Sequence, residues 1–317
     1  MSVRSALAQS RNIPAVKALY LAGVEDSLKT AADMGITNLS GANQYGLSLA
    51  LGGAEVSPLD MASAYGVFAQ DGIRNKAVGI LKIEKMNGDV LEEFKANPQQ
   101  VLDDQIARQM NSILADRYAR APIFGSNYFG TRQVGIKSGT TNSSRDAWMV
   151  GYTPSISVSA WMGNNDNTHM AQQASARIIG PMWKSFMDFA LDRLPTETFE
   201  EPDPISSSLK PFLRGVWQTD TGEVHSELFW INRNDVKGEA PGLGSNDPLF
   251  RNWEAGMQGY GGGFPGQIVP GATSTPGTGN PGQTAPVGFQ ITSPGRNAAV
   301  GANERVYISV AGASGSV

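Results

Sequence analysis

The chain has 317 residues, enough for one large core or two domains. Its formal net charge is −4 with 17% charged residues, which argues against the basic face of a nucleic-acid binder. It contains no cysteine, which excludes disulfides and thiolate sites, while 37 glycines and 18 prolines imply long irregular stretches.

In chain order, Ser2 to Gln9 reads as the middle of a helix, and Leu19, Ala22 and Leu28 belong to short helices covering roughly 12–34. Ser57-Pro58-Leu59-Asp60 is a well-formed helix start, with serine as N-cap, proline at the first helical position and an acid in the first turn. Leu59, Ala62, Tyr65, Phe68 and Ala69 then recur at helical spacing, and Gly72 is the stop signal. Leu81 and Ile83 alternate with Lys82 and Glu84, and Asn87-Gly88 predicts the turn of a small hairpin closed by Val90-Leu91. Ile106, Met110, Ile113 and Leu114 form the apolar stripe of a further helix, capped by Asp103 or Asp104. Strands are expected around 132–140, 146–152 and 156–163. In the last, Ile156, Val158, Ala160 and Met162 line one face. A long helix with Ile178, Met182, Phe186 and Ala190 should pack back on that sheet.

The texture changes after Leu194-Pro195. Residues 1–195 read as globular and 196–254 as a mixed segment. Residues 255–288 hold eleven glycines and five prolines, without a charged residue, and read as a flexible, protease-sensitive linker. Residues 289–317, with Val306, Ile308 and Val310 alternating, suggest the start of a small β-sandwich.

Two short motifs carry the chemistry: Ser10-Arg11-Asn12 and Lys137-Ser138-Gly139-Thr140-Thr141. S-x-N arises by chance about once in a chain this long and K-[ST]-G about 0.15 times, so the weight lies in their context. That context is Ile13-Pro14-Ala15-Val16, then Leu49 to Leu59, then Ala64-Tyr65 and Phe68 to Gly72, then Asp146-Ala147-Trp148-Met149-Val150-Gly151-Tyr152-Thr153-Pro154. In this order the series closely resembles the transpeptidase domain of class A (bifunctional) penicillin-binding proteins, over roughly residues 1–195. Such enzymes use S-x-x-K, then S-x-N, then K-[ST]-G. The serine motif should precede Ser10, where only nine residues stand, so the chain reads as a piece without its nucleophile.

The resemblance implies an α/β fold of the α+β type, the penicillin-binding protein and serine β-lactamase-like transpeptidase fold. It has an antiparallel sheet flanked by helices with a helical lobe, and here it is expected to be incomplete at the N-terminus. It implies that Ser10 relays a proton and Asn12 holds a substrate amide. Lys137 would aim its ammonium at Ser10 and at a substrate carboxylate that Ser138 and Thr141 also bind. The Thr140 amide would be half of an oxyanion hole, a feature whose loss typically costs about 3 kcal/mol, and Gly139 would allow close approach of the substrate backbone. The implied ligands are D-Ala-D-Ala stem peptides of peptidoglycan and β-lactams. No cofactor or metal is expected. The implied parent is membrane-anchored, extracytoplasmic and in contact with other cell-wall synthesis proteins. No export signal or membrane span is found in these residues.

The rival readings are a non-catalytic wall-binding or scaffolding module, and a D,D-carboxypeptidase or serine β-lactamase-like protein. Ser207-Ser208-Leu209-Lys210 matches S-x-x-K literally but follows the K-[ST]-G strand in a Pro/Ser-rich stretch, and is rejected. Glu55 reads as a structural hydrogen-bond acceptor, His169 and His225 as surface residues, and Asn164 to Asn167 as a plain loop rather than a calcium site. The family's first strand would cover the edge of 156–163, so residues 1–195 alone are expected to be poorly soluble.

Overall fold

The computed structural model describes residues 1–141, 144–170, 173–257, 290–293 and 309–311. The first helix, α1 (Val3–Ala8), starts where the Ser2 hydroxyl accepts from the Ser5 amide. It is followed by α2 (Asn12–Ala22) and α3 (Val24–Asp33), the expected run of short helices. After α4 (Ala42–Tyr45) and a 3-10 turn at Gly46–Leu51, the Ser57 hydroxyl accepts from the Asp60 amide and opens α5 (Pro58–Ala69). Only Ala64 and Val67 of α5 are buried. Leu59 is 63% exposed, because the first turn lies outside the cluster that Ala64 and Val67 form with Met34.

Two short antiparallel pairs follow. β1 (Ile73–Arg74) pairs with β4 (Gln99–Gln100), and between them lies the expected hairpin of β2 (Lys82–Glu84) and β3 (Val90–Glu93), turning at Asn87-Gly88. Helix α6 (Asp104–Leu114) is capped by Asp103, which accepts from the amides of Gln105 and Ile106. Its buried face is Ala107, Asn111 and Leu114, and Ile106, expected in the apolar stripe, is exposed. The short α7 (Ala121–Phe124) leads to the main sheet: β5 (Gly135–Thr140), β6 (Asp146–Thr153) and β7 (Ile156–Gly163), antiparallel in that order.

Both faces of this sheet are covered, as strand alternation requires. Val134, Ile136, Ala147 and Met149 face α8 (Ser175–Ile178) and α9 (Gly180–Leu191), with Ile156, Val158, Ala160 and Met162 of β7 packed against the same cluster. On the opposite face, Tyr152 packs with Leu114, Phe199 and partly buried Tyr65 and Phe68 of the helical lobe. Its hydroxyl donates to Asn111 Oδ1 (2.8 Å), and Asn111 donates to the Phe68 carbonyl, so this buried polar pair is satisfied. The outer edge of β7 meets no strand among the described residues.

The face of α9 is shifted from the sequence expectation. Gly180, Trp183, Met187 and Leu191 are buried, whereas Met182 and Phe186 are exposed. Trp183 decides this. Its indole lies over Gly151, where a Cβ would stand 2.4 Å from Trp183 Cζ2, and its Nε1 donates to the Val158 carbonyl. With that indole seated over a glycine of the sheet, the buried face of the helix lies one residue on from the expected one.

Residues 196–257 pack within the first of two compact units, Met1–Gly261, and include α10 (Glu227–Trp230) and α11 (Phe250–Met257). Because α11 runs to Met257, the expected linker cannot begin at 255; residues 258–288 lie outside the described residues. In the second unit, Gly262–Val317, β8 (Gln290–Ser293) pairs antiparallel with β9 (Ser309–Ala311), which holds Val310. Val306 and Ile308 lie outside the described residues. Among the described residues no helix is long and apolar enough to cross a membrane.

Two alanines should separate close packing from helix propensity. Gly151→Ala forces a methyl into Trp183 and should cost about 2 kcal/mol in urea unfolding. Gly66→Ala, in α5 with open space around it, should gain about 0.5–1 kcal/mol. A neutral Gly151→Ala would contradict the packing account.

Candidate active site

The corner between α1 and α2 is a helix ending built on a residue that is not glycine. Ser10 has φ +55°; its amide donates to the Leu7 carbonyl (3.1 Å) and the Arg11 amide to the Ala6 carbonyl (2.9 Å). This is the Schellman arrangement, with Ser10 at the left-handed position that glycine usually fills. A side chain there costs of order 1–2 kcal/mol. The corner persists because α1 is tied to α6: Arg4 reaches the Ser112 carbonyl (2.6 Å) and hydroxyl (2.9 Å) and the Asp116 carboxylate (3.1 Å). Asn12 follows as the first residue of α2, exposed at the surface.

From the sheet, Lys137 of β5 meets that corner. Its Nζ donates to Ser10 Oγ at 2.7 Å and to the Ser138 carbonyl at 2.7 Å. Among the described residues no carboxylate pairs with it. Burial without a counter-charge pulls its pKa down from 10.5 to about 8. A half-buried ammonium with no carboxylate partner among the described residues has the chemistry to take an anionic group.

The register sets the direction of the backbone groups. The Thr141 amide donates to the Asp146 carbonyl (3.2 Å), so alternation along an antiparallel ladder makes Thr140 and Ser138 members of the pairs that do not bond to β6. Their N–H and C=O groups face the free edge of β5, and the Ser138 carbonyl accepting from Lys137 agrees with that direction. The Thr140 amide is thereby a donor on an open edge. Gly139 sits over Trp148, where a Cβ would only touch (3.4 Å).

Two hydroxyls of the motif are already engaged. Thr141 Oγ1 donates to Asp146 Oδ2 (2.9 Å) and accepts from the Asp146 amide (2.8 Å), while Trp161 Nε1 holds the other Asp146 oxygen (2.9 Å). Thr141 thus braces the β5–β6 turn. Thr140 Oγ1 bonds to Ser175 Oγ (2.7 Å) and accepts from the Ser175 amide (3.2 Å), and Ser175 Oγ also donates to the Gly139 carbonyl. Ser175 is 1% exposed. Sequence reasoning missed it, since a serine at the start of a short helix reads as a cap.

Lys210 donates to the carbonyls of Trp230 and Gly238 (3.0 Å each), so the lysine of the literal S-x-x-K match is committed elsewhere. Glu55 is exposed and accepts no hydrogen bond from the described residues, because the 51–57 loop carries it outward, which corrects its reading as a structural acceptor. His225 is not a surface residue: it stacks on Phe229 at 3.7 Å with Nδ1 3.0 Å from Glu254. Asn164 to Asn167 form a turn in which Asp166 accepts from the Thr168 amide and hydroxyl, and the described residues hold no cluster of His, Asp and Glu suited to a metal.

Substitution at Ser10 tests the strained corner. Ser10→Gly and Ser10→Ala both remove the hydroxyl, but only glycine relieves the left-handed backbone. Ser10→Gly should be more stable than Ser10→Ala by about 1 kcal/mol in thermal or chemical unfolding. Equal stabilities would refute the strain.

The family described as penicillin binding protein transpeptidase domain matches residues 1–188. Penicillin-binding protein 1A of Aquifex aeolicus (strain VF5) is 35% identical over 64% of this chain and 27% of its own length. Penicillin-binding protein 2a of Streptococcus pneumoniae serotype 2 is 29% identical over 75% of this chain and 33% of its own length. The chain thus spans about a third or less of these relatives. Among solved structures, the PonA1 protein of Mycobacterium tuberculosis in complex with penicillin V superposes with a TM-score of 0.56 at 26% identity, covering 64% of this chain and 60% of that one. With the fold, the motif order and the family match in agreement, the chain belongs to the penicillin-binding protein transpeptidase family.

Proposed function

We propose that this chain is the larger part of the transpeptidase domain of a peptidoglycan D,D-transpeptidase, with the nucleophilic serine and its lysine partner outside these 317 residues. The observation that carries the reading is the unpaired, desolvated Lys137 ammonium held 2.7 Å from Ser10 Oγ, beside the free-edge amide of Thr140. Together these groups suit a site that receives a peptide ending in a carboxylate and stabilises an oxyanion next to it.

In this reading the nucleophilic serine attacks the penultimate D-alanine carbonyl of a stem peptide. The tetrahedral oxyanion takes the Thr140 N–H and the nucleophile's own N–H as donors, and the Ser10 hydroxyl passes a proton to the departing amine. Terminal D-alanine leaves, and a covalent acyl-enzyme remains. The amine of a second stem peptide then attacks the ester carbonyl, Ser10 carries its proton back toward the serine, and a cross-link forms as the serine is released. Lys137 and the Ser138 hydroxyl bind the terminal carboxylate, and the Asn12 amide binds the peptide backbone with one donor and one acceptor. The Thr141 hydroxyl, engaged by Asp146, serves this edge by fixing the turn. The same cradle would accept a β-lactam, whose carboxylate and strained amide present similar groups. A membrane-anchored, extracytoplasmic parent that also carries a glycosyltransferase domain accords with the class A resemblance.

Fluorescent penicillin provides the test. The 317-residue chain should remain unlabelled, because the atom that forms the bond is not among its motifs. A form extended upstream to include an S-x-x-K segment should be labelled, and Lys137→Ala in that form should lose most of the label. A stable adduct on the 317-residue chain, especially at Ser10 or Ser207, would overturn the assignment.

A further inference from the structure

Residues beyond 195 return to the helical lobe and close on α2, the helix that begins at Asn12. Lys17 pairs with Glu227 of α10 (2.8 Å), and its Nζ lies 4.4 Å from the ring centroid of Trp253 in α11. Three residues on, the Tyr20 hydroxyl donates to Asp247 (2.9 Å), and its ring packs against Trp253 with centroids 5.6 Å apart. The Arg233 guanidinium covers the Tyr20 ring at 4.7 Å. Positions 17 and 20 share one face of a helix, so these contacts grip α2 from one side.

The gripping segment is itself cross-tied. Glu254 of α11 accepts from the Ser226 amide (2.7 Å) and hydroxyl (2.6 Å), just ahead of α10, and faces His225 Nδ1 at 3.0 Å. This arrangement leaves Ser226 bonded to the acid and not to the imidazole, so the trio is a brace and not a nucleophile. Meanwhile α2 has little core of its own, with Leu19 as its single buried residue. It also packs on the 3-10 turn at Gly46–Leu51, on α1 and on α3, and the 225–254 segment adds polar and aromatic ties to these. The strained Ser10 corner begins two residues before α2, so any slide or rotation of the helix moves Ser10 relative to Lys137.

We propose that residues 225–254 are a clamp on α2, and that Lys17 and Tyr20, through Glu227, Asp247 and Trp253, are positioning residues for the Ser10–Asn12 end of the site. The catalytic value of that end rests on the proposed transpeptidase reading; the clamp itself does not. Tyr20–Asp247, like Lys17–Glu227, is a charge-assisted hydrogen bond, and removing its donor leaves the ring in place.

Tyr20→Phe and Trp253→Leu in the 317-residue chain supply the test, with Lys29→Ala, on exposed α3, as control. Amide hydrogen exchange should accelerate about tenfold across Asn12–Ala22 in Tyr20→Phe, the equivalent of about 1.4 kcal/mol. Exchange in β6 should stay unchanged. In both variants the Lys137 titration, followed by NMR of its side chain, should move upward as Ser10 loosens and water enters. Unchanged exchange in α2, equal acceleration in α2 and β6, or an unmoved Lys137 titration would overturn the proposal. Neither readout involves acylation, so a failure of penicillin labelling and a failure of the clamp remain distinguishable.

Discussion

The contact between the Lys137 ammonium and the Ser10 hydroxyl joins the two halves of this fold, and both partners are placed at a cost. Lys137 surrenders hydration without gaining an anion among the described residues, and burial lowers its pKa. Ser10 adopts a left-handed backbone that its own Cβ disfavours. Neither arrangement is explained by stability. The proposed function would account for both, with a cation and a hydroxyl kept ready for a ligand that brings its own carboxylate.

Rigid neighbours hold each partner. On the sheet side, Trp183 over Gly151 locks α9 to β6, Asp146 ties Thr141 to Trp161, and Ser175 ties Thr140 and Gly139 to the start of α8. The edge of β5 is therefore fixed from behind, while its outward N–H groups remain open. On the lobe side, Arg4 pins α1 to α6, and the 225–254 segment grips α2 from the other end. The site lies where the sheet and the helical lobe meet, beside the core that Tyr152 shares with Leu114, Tyr65 and Phe68, so much of the chain takes part in placing a few atoms.

Local signals were readable in the residues themselves. Ser57-Pro58 starts a helix because the hydroxyl satisfies an orphan amide and proline has none to satisfy. Asn87-Gly88 turns a hairpin because glycine accepts φ +88°, and the alternate residues Ile156, Val158, Ala160 and Met162 of 156–163 pack, half-buried, against the core. The two site motifs were also readable, although their weight came from resemblance and not from periodicity. What escaped depended on partners distant in the chain. The face of α9 was set by the space over Gly151 and not by the spacing of Met182 and Phe186. Ser175 acts through Thr140, thirty-five positions away, and nothing local marks it. The 196–254 segment looked irregular because its order comes from Lys17, Tyr20 and Tyr152 in other elements.

The most direct test is the titration of Lys137 in the unmodified chain, read by NMR of its side-chain methylene next to nitrogen. The expected midpoint is near 8, well below the ordinary 10.5. The sign for stability follows: between those values the unfolded chain binds the proton that the folded chain releases, so Lys137 makes stability rise as pH climbs through that window. Lys137→Met should flatten that rise. A Lys137 midpoint close to 10.5, with no change in the stability profile on substitution, would mean that the ammonium is solvated, and the central contact would not be what organises this site.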